Sequence, residues 1–188
     1  QSIPDVVKRI KLLPYDNKMK QYKLTSSWWN DAKQGDVQAV SNFIRRTATK
    51  SGLSSDLVMW TCASKRVKGV ARKPVKHYVS PSGYTKDSSG NKLWIPCSLR
   101  ATNKYQHKKL AIHCYDRYPH VSVMTYLQDY GVKVDKELFA VAEILQWLFR
   151  SNVRVVNGEV TLAIASKRMY DLYVKWTKGG FKDEFENF

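Results

Sequence analysis

The sequence predicts an α/β fold: an open, largely parallel sheet with flanking helices, preceded by a short helical segment. Three observations predict it. Short apolar runs rich in strand formers recur along the chain, helical 3–4 periodicities lie between and after them, and turn residues separate the two. Strands that alternate with helices need crossover connections, which a parallel sheet provides. With 188 residues, 43% of them hydrophobic and 12% aromatic, the chain can bury a core.

The elements follow in order. Thr25-Ser26-Ser27 offers an N-cap for a short helix through Trp28, Trp29 and Ala32, stopped near Gly35. Asp36 can cap a second helix, in which Val37, Val40, Phe43, Ile44 and Thr47 share a face and Gly52 is the stop. Leu57 to Cys62 reads as a buried strand. Residues 63–92 carry turn signals at 80–83 and 87–91, which fit a β-excursion or a loop. Lys92–Leu99 reads as a second strand, with Pro96 marking an edge or bulge, and Lys109–Tyr115 as a third. Pro119 opens a helix that Gly131 ends. Asp135 caps the strongest helix, with Leu138, Val141, Ala142, Leu145, Leu148 and Phe149 on its apolar side. Asn157-Gly158 turns the chain into a strand at 160–165. Ser166 then caps a last helix, which Gly179-Gly180 closes. The expected organisation is a helical segment at 1–54, an α/β domain at 55–180 and an acidic tail at 181–188.

Charge points to function. The net charge is +16, and its distribution is uneven. Residues 61–110 hold twelve Lys and Arg against one acid, Asp87, whereas residues 111–188 hold ten of each. Concentrated positive charge repels itself in a soluble domain, and a polyanion relieves that repulsion through phosphate neutralisation and counterion release. An ordinary solvated face is the alternative. Lys65, Arg66, Lys68, Arg72, Lys73 and Lys76 are the leading candidates for phosphate contact. Tyr78, Tyr84, Trp28 and Trp29 lie near lysines and are candidates to stack on bases, with burial the competing fate of the tryptophans.

Several classes are set aside. No apolar run approaches the roughly 18–20 residues a membrane span requires, and lysines interrupt the first thirty residues where a signal peptide would need an apolar stretch. Cys62, Cys97 and Cys114 are too few for a disulfide framework and read as small buried residues of a reducing, cytoplasmic protein. His107, His113, Cys114 and His120 match no standard zinc spacing. The sequence holds no G-x-x-x-x-G-K-[ST] phosphate loop, no G-x-G-x-x-G and no acidic pair after an apolar strand, so the chain alone is not expected to hydrolyse ATP. Gln1 stands where an initiator Met would, and a piece of a longer polypeptide is expected, with a processed product the alternative.

Two constellations remain. Gln146, Arg150 and Arg154 are spaced i, i+4, i+8. They share one ridge if the helix continues, suited to phosphate oxygens or to the charge of phosphoryl transfer. Helix C-terminal cations on a solvated face are the alternative. The second constellation, Arg100, Thr102, Asn103 and Lys104, follows the strand expected at 92–99, and carboxyl ends of strands are where ligands gather in open α/β sheets. A plain polar connection is the alternative.

Taken in order, Trp60-Thr61, Arg-Ala-Thr-Asn-x-Tyr at 100–105, the strand at 109–115, the Gln146/Arg150/Arg154 helix and the strand running into 165–169 resemble the second RecA-like lobe of superfamily 2 helicases, in the divergent form carried by phages and mobile elements. The resemblance spans roughly 55–178. It implies that residues 100–105 touch nucleic acid and that Arg150 and Arg154 face ATP phosphates across a cleft. Phe149 stands where the common arginine-finger motif has glycine, and the second arginine comes eight residues after Gln146 rather than seven. ATP and magnesium are then expected only with a partner lobe, in the same or another chain. DNA is expected over RNA. A non-catalytic nucleic-acid-binding accessory of replication, repair or packaging is the alternative function.

Overall fold

A four-stranded parallel sheet forms the centre of the molecule: β1 (Ile10–Leu12), β2 (Val58–Thr61), β3 (Leu110–His113) and β4 (Val160–Ile164) lie in the order β1-β4-β3-β2. The computed structural model describes residues 3–99 and 102–181. In register, Trp60 lies beside Ile112, Leu110 beside Thr161, and Thr161 beside Lys11. Six helices accompany the strands: α1 (Ile3–Lys8), α2 (Ser26–Asp31), α3 (Gln34–Ser51), α4 (Val121–Asp129), α5 (Lys136–Leu148) and α6 (Lys167–Thr177).

Alternation along each strand divides the core into two layers. Val58, Trp60, Leu110, Ile112 and Ala163 point to the side where α3 supplies Val37, Val40, Phe43 and Ile44. Met59, Ala111, Leu162 and Ile164 point to the other side, against Ile144, Trp147 and Leu148 of α5 and Met169, Leu172 and Tyr173 of α6. Each large side chain so buried contributes roughly 1.5–3 kcal/mol of transfer free energy.

The helix starts are chemically legible. Thr25 accepts the Trp28 amide, Asp135 accepts those of Glu137 and Leu138, and Ser166 accepts that of Met169. Asp36 lies inside α3 rather than at its cap, and its carboxylate reaches back to the Lys33 N–H at 2.9 Å. Gly52 ends α3 at φ 70°.

Two expectations are corrected. Lys92–Leu99 is not a strand. Leu93 and Ile95 exchange backbone hydrogen bonds with Trp60 at 3.0 and 2.9 Å, and then Pro96, which has no N–H, breaks the ladder and the chain turns. Residues 1–54 also do more than precede the sheet. They supply β1, which pairs with β4, and α3, which packs on β3. β1 has only three residues and carries Lys11 at its centre, so no hydrophobic pattern announces it.

α4 stands apart: none of its side chains is buried, Val121 and Tyr126 are 70% and 61% exposed, and Tyr130 just after it is 71% exposed. Among the described residues no helix is long and apolar enough to cross a membrane. The acidic run at 183–186 lies outside the described residues.

Candidate functional site

The connection from β2 to β3, residues 62–109, carries most of the excess charge, and the structure sorts its cations into two kinds. Arg66 is buried. Its guanidinium donates to the carbonyls of Trp29 (2.9 Å), Asn30 (3.1 Å), Ala32 (2.9 Å) and His77 (3.3 Å), tying α2 to the excursion. Lys108 is also buried and donates to the Asp56 carbonyl at 2.8 Å, and burial pulls its amine below the usual lysine value. These two hold the fold together and are not available to phosphates, which removes Arg66 from the expected contact set. Lys65 bonds to Asn30 Oδ1. Lys68, Arg72, Lys73 and Lys76 are exposed, as expected.

Part of this exposed charge surrounds a hollow of about 440 Å³. Lys68, Lys86 and Lys92 lie around it with Tyr78, Ser80 and Thr85, and no carboxylate is in its lining. Its base is rigid because two indoles are fixed by hydrogen bonds: Trp60 Nε1 donates to the Tyr84 carbonyl at 2.8 Å, and Trp94 Nε1 to that of Cys62 at 3.0 Å. Gly69, at φ 77°, makes a left-handed turn beside Lys92 that a side chain would strain. Asp87 organises the 87–91 turn by accepting the Ser89 and Asn91 amides, which brings Lys86 and Lys92 into an antiparallel bridge. The one acid in the excursion is thus spent on its own loop. Of the candidate stacking residues, Tyr78 is half-buried at the hollow. Trp29 is buried in the core, and Trp28 is half-buried, edge-on to Trp29 and Tyr22.

The arginine ridge does not form. α5 ends at Leu148, Arg150 lies in the following turn, and Arg154 closes a short 3-10 turn, Asn152–Arg154. Gln146 and Arg154 are exposed while Arg150 is only 7% exposed, and burial together with the Arg154 charge pulls its guanidinium below the ordinary value. Ser151 stops the helix by turning its hydroxyl back onto the Leu148 carbonyl at 2.6 Å. The second constellation changes position as well. Because 92–99 is not a strand, Thr102, Asn103 and Lys104 lie at the amino-terminal end of β3 rather than at a carboxyl end. Arg154 joins them there, its Nη1 donating to the Thr102 carbonyl at 3.2 Å. Asn152 fastens the same corner by donating to the Gln106 and Lys108 carbonyls. Arg100 lies outside the described residues.

Sequence reasoning did not anticipate the carboxyl edge of the sheet. Asp116 and Arg117 follow β3, and each meets a distant partner: Arg168 reaches Asp116 at 2.7 Å and Glu143 accepts from Arg117 at 2.8 Å. Burial raises the Asp116 carboxyl despite the Arg168 bond. Arg168 also lies 3.9 Å from the Tyr118 ring centre. No spacing in one dimension could have paired residues 52 apart. Nearby, Cys97 Sγ is 3.8 Å from His113 Nε2 and 3.4 Å from Thr61 Oγ1. Burial and the Arg117 charge pull His113 down to about 3, and burial raises the Cys97 thiol, so burial disfavours the charged form of both groups. Two ion pairs of the protein's own thus stand at the carboxyl end of β3.

The sequence model of the YonV C-terminal Rossmann-like domain matches residues 5–177, and the chain belongs to that family. The chain is also similar to the SPbeta prophage-derived protein YonV of Bacillus subtilis (strain 168), with 30% identity over 105 residues, 55% of this chain and 24% of that protein. The match therefore spans about a quarter of that relative's length. No solved structure matches.

Proposed function

We propose that this member of the YonV C-terminal Rossmann-like family is a nucleic-acid-binding domain whose contacts centre on the lysine hollow of the β2–β3 excursion. One observation carries the reading: Lys68, Lys86 and Lys92 surround a rigid hollow of about 440 Å³ that no carboxylate lines. Phosphates there meet three ammonium groups with no internal anion to compete, and Tyr78 offers a ring on which an unstacked base can lie. Arg72, Lys73, Lys76 and Lys104 extend the positive field for a longer strand. DNA is the expected partner ahead of RNA, and the cytoplasm is where the protein would meet it. The prophage origin of the B. subtilis relative accords with a role in the DNA transactions of a mobile element.

The test is fluorescence anisotropy with labelled single- and double-stranded DNA. Replacing Lys68, Lys86 and Lys92 together by Ala should weaken binding by about tenfold or more while leaving the unfolding midpoint in place. Equal affinity in the variant removes the hollow from the interface.

A second reading, the motor lobe, is favoured by one contact, the Arg154 bond to Thr102, which joins the two segments that the helicase resemblance singled out. In this reading Arg154 meets an ATP-magnesium complex held by another lobe, with Gln146 and Arg150 supporting the corner from the end of α5. Arg154→Ala, measured together with the lobe that holds ATP, should then abolish DNA-dependent ATP turnover and preserve DNA affinity. Normal turnover would leave the domain as a binding accessory.

A further inference from the structure

A second concavity lies on the α3 side of the sheet. Apolar filling falls across that face, from Leu110 and Ile112 on β3 to the smaller Thr161 and Ala163 on β4, and then to the solvent-exposed, polar Lys11 on β1. α3 packs over β3, so the small residues of β4 and the polar centre of β1 leave a groove of about 860 Å³ between α3 and β1. Leu13, Pro14 and Leu53 give it an apolar wall, with Phe43 and Ala163 buried beneath. Lys8, Lys11, Lys50 and Lys109 border it, all exposed and none in an ion pair among the described residues. The groove has two carboxylates. Asp16 is taken by Arg46 at 3.3 Å, which leaves Glu159 against four lysines.

We infer that this groove is a nucleotide site. Its volume falls within the roughly 300–1,000 Å³ of small-molecule pockets. A polyanion alone would not use the Leu13, Pro14 and Leu53 wall, and an apolar ligand would not use the lysines. A ligand that carries both phosphates and a planar base uses both. Phosphate oxygens lie against Lys11, Lys50 and Lys109, and the base lies against Leu13, Pro14 and Leu53. The same chemistry comes from a free nucleoside polyphosphate or from one unit of a single strand. The inference uses none of the residues of the lysine hollow and stands or falls without it.

The experiment titrates the full chain with a fluorescent ADP carrying an N-methylanthraniloyl group, and competes it with ADP or with a short oligothymidylate. Saturable binding is expected, with Lys11→Glu and Lys50→Glu each weakening it by about tenfold or more and a Lys68/Lys86/Lys92→Ala variant binding normally. Displacement by ADP alone identifies a free nucleotide as the source. Displacement by the oligothymidylate at equal or lower concentration identifies a strand. Amide shifts of the unsubstituted chain, which need no variant to fold, should move at Leu53, Thr161 and Ala163. Absence of saturable binding to either probe overturns the site, as do shifts confined to Tyr78 and Thr85 or binding that survives both charge reversals.

Discussion

Residues 61–110 and 111–181 are both rich in cations and treat them in opposite ways. In the later region Arg117, Lys167, Arg168 and Lys175 each meet a carboxylate of the same chain. In the earlier region no cation is in an ion pair among the described residues. There Arg66 and Lys108 are buried on backbone carbonyls, and Lys68, Lys86 and Lys92 face solvent around one hollow. Arg66 and Lys68 are two residues apart and have opposite fates. Net charge therefore measures what a chain has available, and burial decides which part of it a phosphate can reach.

The comparison can be broken first at Arg66. Arg66→Ala strands carbonyls of α2 and of the excursion, and should cost about 3–4 kcal/mol in urea unfolding. A loss below 1 kcal/mol would mean the clamp is not structural. Arg168→Ala comes next. It leaves the buried Asp116 carboxylate unpaired and should cost about 2–3 kcal/mol, whereas Lys175→Ala, at an exposed pair with Glu137, should cost less than about 0.5 kcal/mol.

His113 gives a pH-dependent effect that is smaller per pH unit. Folding lowers its pKa from 6.5 to about 3, so below pH 6.5 the unfolded chain binds a proton that the folded chain refuses. Its contribution is intact above pH 6.5 and is lost as the pH falls toward 3. Urea unfolding should lose about 1.4 kcal/mol per pH unit between about pH 5.5 and 4 from this group, and His113→Asn should flatten that slope. An unchanged slope would contradict the buried neutral imidazole. The smallest effect concerns the hollow itself: Lys68, Lys86 and Lys92 to Ala should alter stability by no more than about 0.5 kcal/mol.

How much was legible in the sequence follows the range of the forces. Thr25, Asp135 and Ser166 announce helix starts because a cap is a contact between residues two or three apart. β2, β3 and β4 declare themselves by apolar runs, since strands buried on both faces need no alternation. β1 stayed hidden because Lys11 faces an uncovered groove, and the expected strand at 92–99 failed because Pro96 has no N–H to give. At the candidate sites, the i, i+4, i+8 spacing of Gln146, Arg150 and Arg154 assumed a helix that Ser151 ends. The three lysines of the hollow converge only because the 87–91 turn and Gly69 fold the excursion back on itself. Exposed cations were legible as a class, but their grouping was not.

The central claim, that solvent-facing lysines of the excursion exist to meet phosphates, is tested most directly by the salt dependence of single-stranded DNA binding. Log K should fall with log salt by about 0.7 for each phosphate contacted, and the Lys68/Lys86/Lys92→Ala variant should lose roughly 2 from that slope. A slope identical in the two proteins, or one near zero in both, would contradict it.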